Sequence, residues 1–188
     1  MGCGVWGVGC GVWGAGCGVW GAGCGGCKIR DKGLLENNMI TIREASVDDA
    51  KTIIYFQQQM AIETEGLSLD GMVLNGGVMA VFDDPLKGRY FVADNDGTVI
   101  ASLLITYEWS DWRNSYVWWF QSVYVLPDYR RRGIFRSMYA YIRDQADLKG
   151  AAGLRLYVES NNATARKTYE ALGMTSEHYT MYEWLREN

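Results

Sequence analysis

Residues 115–126, SYVWWFQSVYVL, constrain the fold more than any other stretch. Apolar side chains fall on both alternating faces, and β-branched and aromatic residues dominate, so the segment reads as a strand covered on both sides rather than as one with a wet face. A chain carrying such a strand must supply a layer for each face of its sheet. Pro127 stops the strand, and DYRRRGIFR follows at once.

The flanking patterns supply those layers. Met39 to Ala45 alternates apolar and polar as a strand does. Ser46 then caps a helix with Asp48 and Asp49 in its first turn and an apolar stripe of Ala50, Ile53, Ile54, Met60 and Ala61. A second helix is predicted over 69–81, weakened by Gly76 and Gly77 and ended by Asp84-Pro85. Strands over 89–93 and 98–107 flank Asp96-Gly97, a pair that tolerates the positive dihedrals of a tight hairpin. Beyond Pro127 the pattern predicts a helix over 132–149, a strand over 154–158, a helix over 163–172 closed by Gly173, and a final strand pair within 174–185. The order is mixed α/β (α+β): strands first in a meander, later alternating with helices.

The first 38 residues are expected to have a different origin. GCGVWGV, GCGVWGA and GCGVWGA follow one another in a seven-residue repeat. Solenoid repeats run to about 20–50 residues and carry a core-forming pattern that this one lacks. A tandem DNA repeat of GGGTGTG, read through its three frames in turn, encodes Gly-Cys-Gly-Val-Trp-Gly-Val. The expectation is therefore a low-complexity tail over 1–38, disordered and translated from upstream sequence, with a natural start at Met39 and one domain over 39–188. All five cysteines lie in the tail. Cys24 and Cys27 form a C-x-x-C pair, but without a nearby histidine and on a glycine-rich backbone they are not expected to hold zinc. Met1-Gly2-Cys3 looks like an acylation start, yet Trp6 stands where the myristoylation pattern wants Ser or Thr. No run of about twenty apolar residues is present, so no membrane span is expected. A cysteine-free domain without a signal peptide makes the cytoplasm the expected location.

Against a formal net charge of -4, Arg130, Arg131, Arg132 and Arg136 crowd the predicted start of a helix. The acidic balance disfavours a nucleic-acid partner, which would need a broad basic face. Cations at a helix N-terminus oppose its dipole, each at a cost of roughly 0.3–1 kcal/mol. A diphosphate would offset this, because free N–H groups around Gly133 can point at its oxygens while the guanidiniums neutralise its charge. Solvated arginines whose stems cover apolar surface are the alternative.

VYVLPDYRRRGIF resembles motif A, R-x-x-G-x-[GA] after a strand, of the GNAT superfamily of acetyl-CoA-dependent N-acetyltransferases. Arg130, Gly133 and Phe135 occupy its three defining positions, the last with a bulkier side chain than the family pattern. Downstream, Val158, Asn162, Ala165, Tyr169 and Gly173 are similar to the family's V-x3-N-x2-A-x3-Y-x3-G pattern, and the resemblance covers about residues 40–185. It implies a GNAT fold with a central mixed sheet of about six or seven strands flanked by about four helices. It implies acetyl-CoA as co-substrate, no metal, and transfer of the acetyl group to a small-molecule or peptide amine by direct attack on the thioester. Backbone groups of Val123, Tyr124 and Val125 would pair with the pantetheine arm, residues Arg130, Arg131, Arg132, Gly133, Ile134, Phe135 and Arg136 would hold the pyrophosphate, and Asn162 would join the cradle. Tyr169 would protonate the departing thiolate, or else be a core tyrosine. A homodimer is compatible with the resemblance. The rival reading is a non-catalytic acyl-CoA-binding or regulatory domain.

The base and the acceptor are less defined. Gln121 sits where many relatives place a carboxylate, and an amide cannot take a proton, so a water relayed from Glu63, Glu108 or Glu159 is one route. Trp109, Trp112, Trp118 and Trp119 would wall an aromatic acceptor site or pack in the core. Glu63, Glu65, Glu108 and Asp111 could draw in a cation. Glu63, Glu108, Trp109 and Gln121 are the acceptor-site candidates, and His178 is expected on a strand surface.

Overall fold

The computed structural model describes residues 27–30, 39–159, 161–177 and 180–184. Its sheet has six strands in sequential order: β1 (Cys27–Arg30), β2 (Met39–Glu44), β3 (Arg89–Asn95), β4 (Thr98–Ser110), β5 (Ser115–Val125) and β6 (Gly153–Arg155). Every neighbouring pair is antiparallel except β5 with β6, which is parallel. The β3–β4 hairpin turns as its sequence predicts, with Asp96 at φ 49° and Gly97 at φ 88°, and the Gly97 N–H donates to Asp94 Oδ1 at 2.7 Å.

The described residues form four α-helices, α1 (Ala50–Glu65), α2 (Gly71–Asp83), α3 (Ile134–Leu148) and α4 (Ala163–Ala171), of which the first three pack on the sheet. α2 starts two residues later than predicted because Asp70 caps it, accepting from the N–H groups of Met72 and Val73 at 2.8 and 2.9 Å. It runs through Gly76 and Gly77 to Asp83, so tertiary packing of Val78 outweighs their poor propensity.

The sheet is buried on both faces, as β5 requires. On one side Ile40, Ile42, Phe91, Leu103, Ile105 and Phe120 pack beneath Ile134, Met138 and Ile142 of α3. On the other, Tyr90 and Val92 pack beneath Ala50 and Ile53 of α1 and Val78 of α2. Arg43 of β2 ties this second layer to the sheet. Its guanidinium donates to Asp49 at 2.7 and 2.9 Å and to Asp94 of β3 at 2.9 and 3.2 Å. The Asp49 carboxylate also accepts from the Ser46 N–H at 2.8 Å, closing the entry to α1.

Two expectations are corrected. From Met39 onward the described residues form five strands, short of six or seven; the sixth strand of the sheet is Cys27–Arg30, from the segment assigned to the tail. The final strand pair is absent among the described residues: 174–177 and 180–184 carry no strand, and Met181, Tyr182 and Trp184 are exposed. β6 ends at Arg155 rather than at Val158, so a following strand finds only a three-residue ladder to pair with. The repeats over 1–26, including Cys24 of the C-x-x-C pair, and His178 lie outside the described residues. No described helix is long and apolar enough to cross a membrane, and no group of three potential metal ligands occurs among the described residues.

Candidate active site

β5 and β6 are paired only where Val117–Trp119 meet Gly153–Arg155. β5 continues to Val125, so from Phe120 onward its edge towards β6 meets no strand among the described residues. Beyond the end of that ladder β5 carries a bulge against β4. Ser122 sits at φ 51°, a left-handed conformation uncommon for serine, and the β4–β5 register shifts between Ser102 and Leu104. The bulge re-aims Val123, Tyr124 and Val125 beside the gap, where the pantetheine arm was expected.

The chain then passes through a 3-10 turn, Pro127–Tyr129, into the arginine segment. Arg131 at φ 62° and Gly133 at φ 83° are both left-handed, and α3 begins at Ile134. Its first intrahelical bond runs from the Ser137 N–H to the Gly133 carbonyl at 3.0 Å, so the N–H groups of Ile134, Phe135 and Arg136 precede it and point out of the helix end. Such a turn gathers backbone donors into an anion-binding concavity.

Arg130 is engaged elsewhere. Its Nε donates to the Val125 carbonyl at 2.8 Å, its Nη2 donates to Glu63 Oε2 of α1 at 2.7 Å, and its guanidinium lies 5.3 Å from the Tyr124 ring centroid. The Tyr124 hydroxyl donates to Glu63 Oε1 at 2.9 Å. Partial desolvation pushes the Glu63 carboxyl up, but the bonds from Arg130 and Tyr124 outweigh it and hold Glu63 below the usual carboxylate range. Arg132 lies over the Tyr129 ring at 5.5 Å.

Tyr169 on α4 faces this turn. Its ring stands edge-on to Phe135, centroids 5.6 Å apart, and burial pushes its phenol above the ordinary tyrosine value. Phe135 also meets Phe120 of β5 at 6.2 Å. Asn162 does not reach out to a ligand through its side-chain oxygen, which caps α4 by accepting from the Ala165 N–H at 3.0 Å.

Strand alternation sorts the acceptor candidates. Thr106, Glu108, Trp119 and Gln121 share one sheet face with Tyr124 beyond the bulge, the face that α1 and Glu63 cover. Trp119 Nε1 and Arg155 Nη1 donate to Glu108 at 2.5 and 2.7 Å. Desolvation raises the Glu108 carboxyl, and these two donors, with the nearby charges of Arg155 and Arg113, more than reverse it, leaving a net lowering. The Gln121 amide donates to Thr106 Oγ1 at 3.1 Å and accepts from the Tyr157 hydroxyl at 2.7 Å. Trp109 is a correction: it falls on the opposite face, against Tyr116 at 5.1 Å, because adjacent strand residues point apart. Trp118 is core, packed on Tyr107, and Trp112 is almost fully exposed. Glu65 is exposed, Asp111 accepts from the adjacent Trp112 N–H at 2.8 Å, and the Glu159 carboxylate accepts from Asn161 at 3.4 Å. Sequence reading missed Tyr157 and the side chain of Tyr124; the one signal for Tyr157 was its place next to Val158 of the second motif.

Comparison with known proteins agrees with this geometry. The model of the Acetyltransferase (GNAT) family matches residues 61–174, more than half of the chain. The crystal structure of a possible acetyltransferase from Clostridium difficile 630 is 47% identical, with a TM-score of 0.74, over 79% of this chain and 99% of that one. A Clostridium acetobutylicum protein, described as a predicted acetyltransferase and solved with acetyl-CoA, shares the fold at 18% identity and a TM-score of 0.62, over 80% and 96% of the two chains. The [Ribosomal protein bS18]-alanine N-acetyltransferase of Escherichia coli K12 is 38% identical over 52 residues, which are 28% of this chain and 35% of that relative. With matching motifs, fold and family model in agreement, the chain belongs to the GNAT acetyltransferase family.

Proposed function

We propose that the protein transfers an acetyl group from acetyl-CoA to a primary amine by direct attack of the amine on the thioester. One arrangement supports this reading: the β5 edge that meets no strand among the described residues leads into the donor-lined turn before α3, and the ring of Tyr169 meets Phe135 of that turn.

The outward N–H groups of Ile134, Phe135 and Arg136 take the diphosphate, with Arg131, Arg132 and Arg136 neutralising its charge. The free edge of β5 at Val123–Val125 pairs with the pantetheine arm, and a backbone N–H there polarises the thioester carbonyl. The amine nitrogen attacks the carbonyl carbon, the C–S bond breaks, and the thiolate takes the proton of the Tyr169 hydroxyl. Burial favours the protonated phenol, so the proton is in place at neutral pH. Glu63 and Glu108 are each held by an arginine and a neutral donor, which makes both weak bases. The ammonium proton therefore leaves through water near Gln121 and Tyr157, which hydrogen-bond each other at 2.7 Å.

The shortage of a free carboxylate favours a second reading, an acyl-CoA-binding domain without turnover. Incubation of the full chain with acetyl-CoA and a panel of small amines and alanine-started peptides, followed by free-thiol release, separates the two. Amine-dependent thiol release is expected. Calorimetric binding of acetyl-CoA with no release across the panel would support the second reading, and no binding at millimolar acetyl-CoA would remove both.

A further inference from the structure

On the face of the sheet opposite the acceptor residues lies a half-open cleft of about 510 Å³. It opens between the N-terminal half of β5 and the C-terminal half of α3. Its walls are aromatic. Phe91 and Trp118 form the buried floor, Tyr141 of α3 stands edge-on to Phe91 at 6.1 Å, and Tyr107 stands edge-on to Trp118 at 5.6 Å. The volume is that of a small-molecule site. Trp118 precedes Val123–Val125 by five to seven strand residues, roughly 17–23 Å at 3.3 Å per residue, so the cleft is separate from the transfer site.

Its rim is cationic on balance. Arg89 pairs with Glu44 at 2.9 and 3.1 Å through Nη1 and also hydrogen-bonds the Tyr107 side chain, and a guanidinium has five donors in all. Lys149, just past the end of α3, makes no ion pair among the described residues. The helix end does not cancel this charge, because the Ala146 and Asp147 carbonyls already accept from the Ala151 and Gly150 N–H groups at 2.9 and 3.1 Å. Aromatic walls favour a planar ring, and Lys149 and Arg89 in the lining of the same cleft favour an anion at one end of it.

We infer that this cleft is a second binding site, which takes a planar aromatic carboxylate of one or two rings, its ring against Trp118, Tyr107 and Tyr141 and its carboxylate at Lys149 and Arg89. The site stands independently of acetyl transfer.

The test uses the full chain saturated with coenzyme A, so that the transfer cleft is filled, titrated with indole-3-carboxylate and, separately, with uncharged indole-3-carboxamide, by ligand-detected NMR and calorimetry. The acid should bind saturably with a dissociation constant on the order of 0.1–1 mM. The amide should bind at least about tenfold more weakly, and Lys149→Glu, a change at an exposed position, should weaken the acid by a similar factor while leaving the circular dichroism unchanged. No saturable binding, equal binding of acid and amide, an unaffected Lys149→Glu variant, or binding seen only without coenzyme A would each overturn the inference.

Discussion

The rings of Phe135 and Tyr169 meet edge to face, centroids 5.6 Å apart with planes at 72°, and so join the first turn of α3 to the middle of α4. Phe135 stands where the family pattern has a small residue, and its bulk supplies this contact with the proposed acid.

Tyr169→Phe keeps this ring contact and removes only the hydroxyl. Turnover should fall by about 10²–10⁴ while the dissociation constant for acetyl-CoA stays within about twofold, measured by thiol release and calorimetry. Equal losses in both would assign Tyr169 to packing alone.

The four arginines should separate into two groups. Arg131→Ala with Arg136→Ala removes charge-assisted donors at the donor-lined turn, and each such bond is worth about 1.5–3 kcal/mol, so coenzyme A should bind at least tenfold more weakly. Arg130→Met instead breaks the contacts to Glu63 and the Val125 carbonyl, and its first effect should be a lower melting temperature. A calorimetric titration and a thermal melt of each variant, in matched buffer, make the comparison. Equal losses of affinity in both variants would return Arg130 to the phosphate site.

Asp49 should govern acid stability. Its carboxyl is lowered first by the hydrogen bonds from Arg43, against a desolvation penalty that raises it, with help from Ser46. A lowered folded value means a contribution that is complete above the unfolded aspartate value, near 3.9, and is lost as pH falls through the lower folded value. Asp49→Asn should cost about 2–4 kcal/mol at pH 7, since it leaves the Arg43 guanidinium with only Asp94, and the loss should shrink below about pH 4. Urea midpoints at pH 7 and pH 3 check the sign.

The legible parts of this chain were those in which local chemistry decides. Asp96-Gly97 makes its turn unaided, Ser122 excepted β5 is uninterrupted, and the donors before α3 follow from Gly133 and the helix start. What sequence could not supply was long-range pairing. Arg130 meets Glu63 across 67 residues, and nothing local marks that choice over a phosphate. Sequence offers Glu108 as a route for the proton but not its partners, Trp119 and Arg155, which arrive from two other strands. Trp109 and Glu108 are both acceptor-site candidates in sequence, and strand alternation puts them on opposite faces. The final strands, absent among the described residues, depended on how far β6 extends, a tertiary property of the gap itself.

Ser122 provides the sharpest test of the bulge. Its φ of 51° costs an L-residue about 1–2 kcal/mol, a cost that glycine avoids and a β-branched side chain aggravates. Ser122→Gly should therefore be as stable as the parent or slightly more so, with thiol release within about twofold. Ser122→Val should either lose about 1–2 kcal/mol with the bulge kept, or straighten β5 and rotate Val123–Val125 away from the gap. In the second case acetyl-CoA affinity should fall at least tenfold, because a one-residue slip turns the free edge and its side chains to the other face. Denaturant midpoints and coenzyme A titrations of the two variants tell these apart, and a Ser122→Gly variant that lost binding would show that the hydroxyl, rather than the backbone conformation, matters at this position.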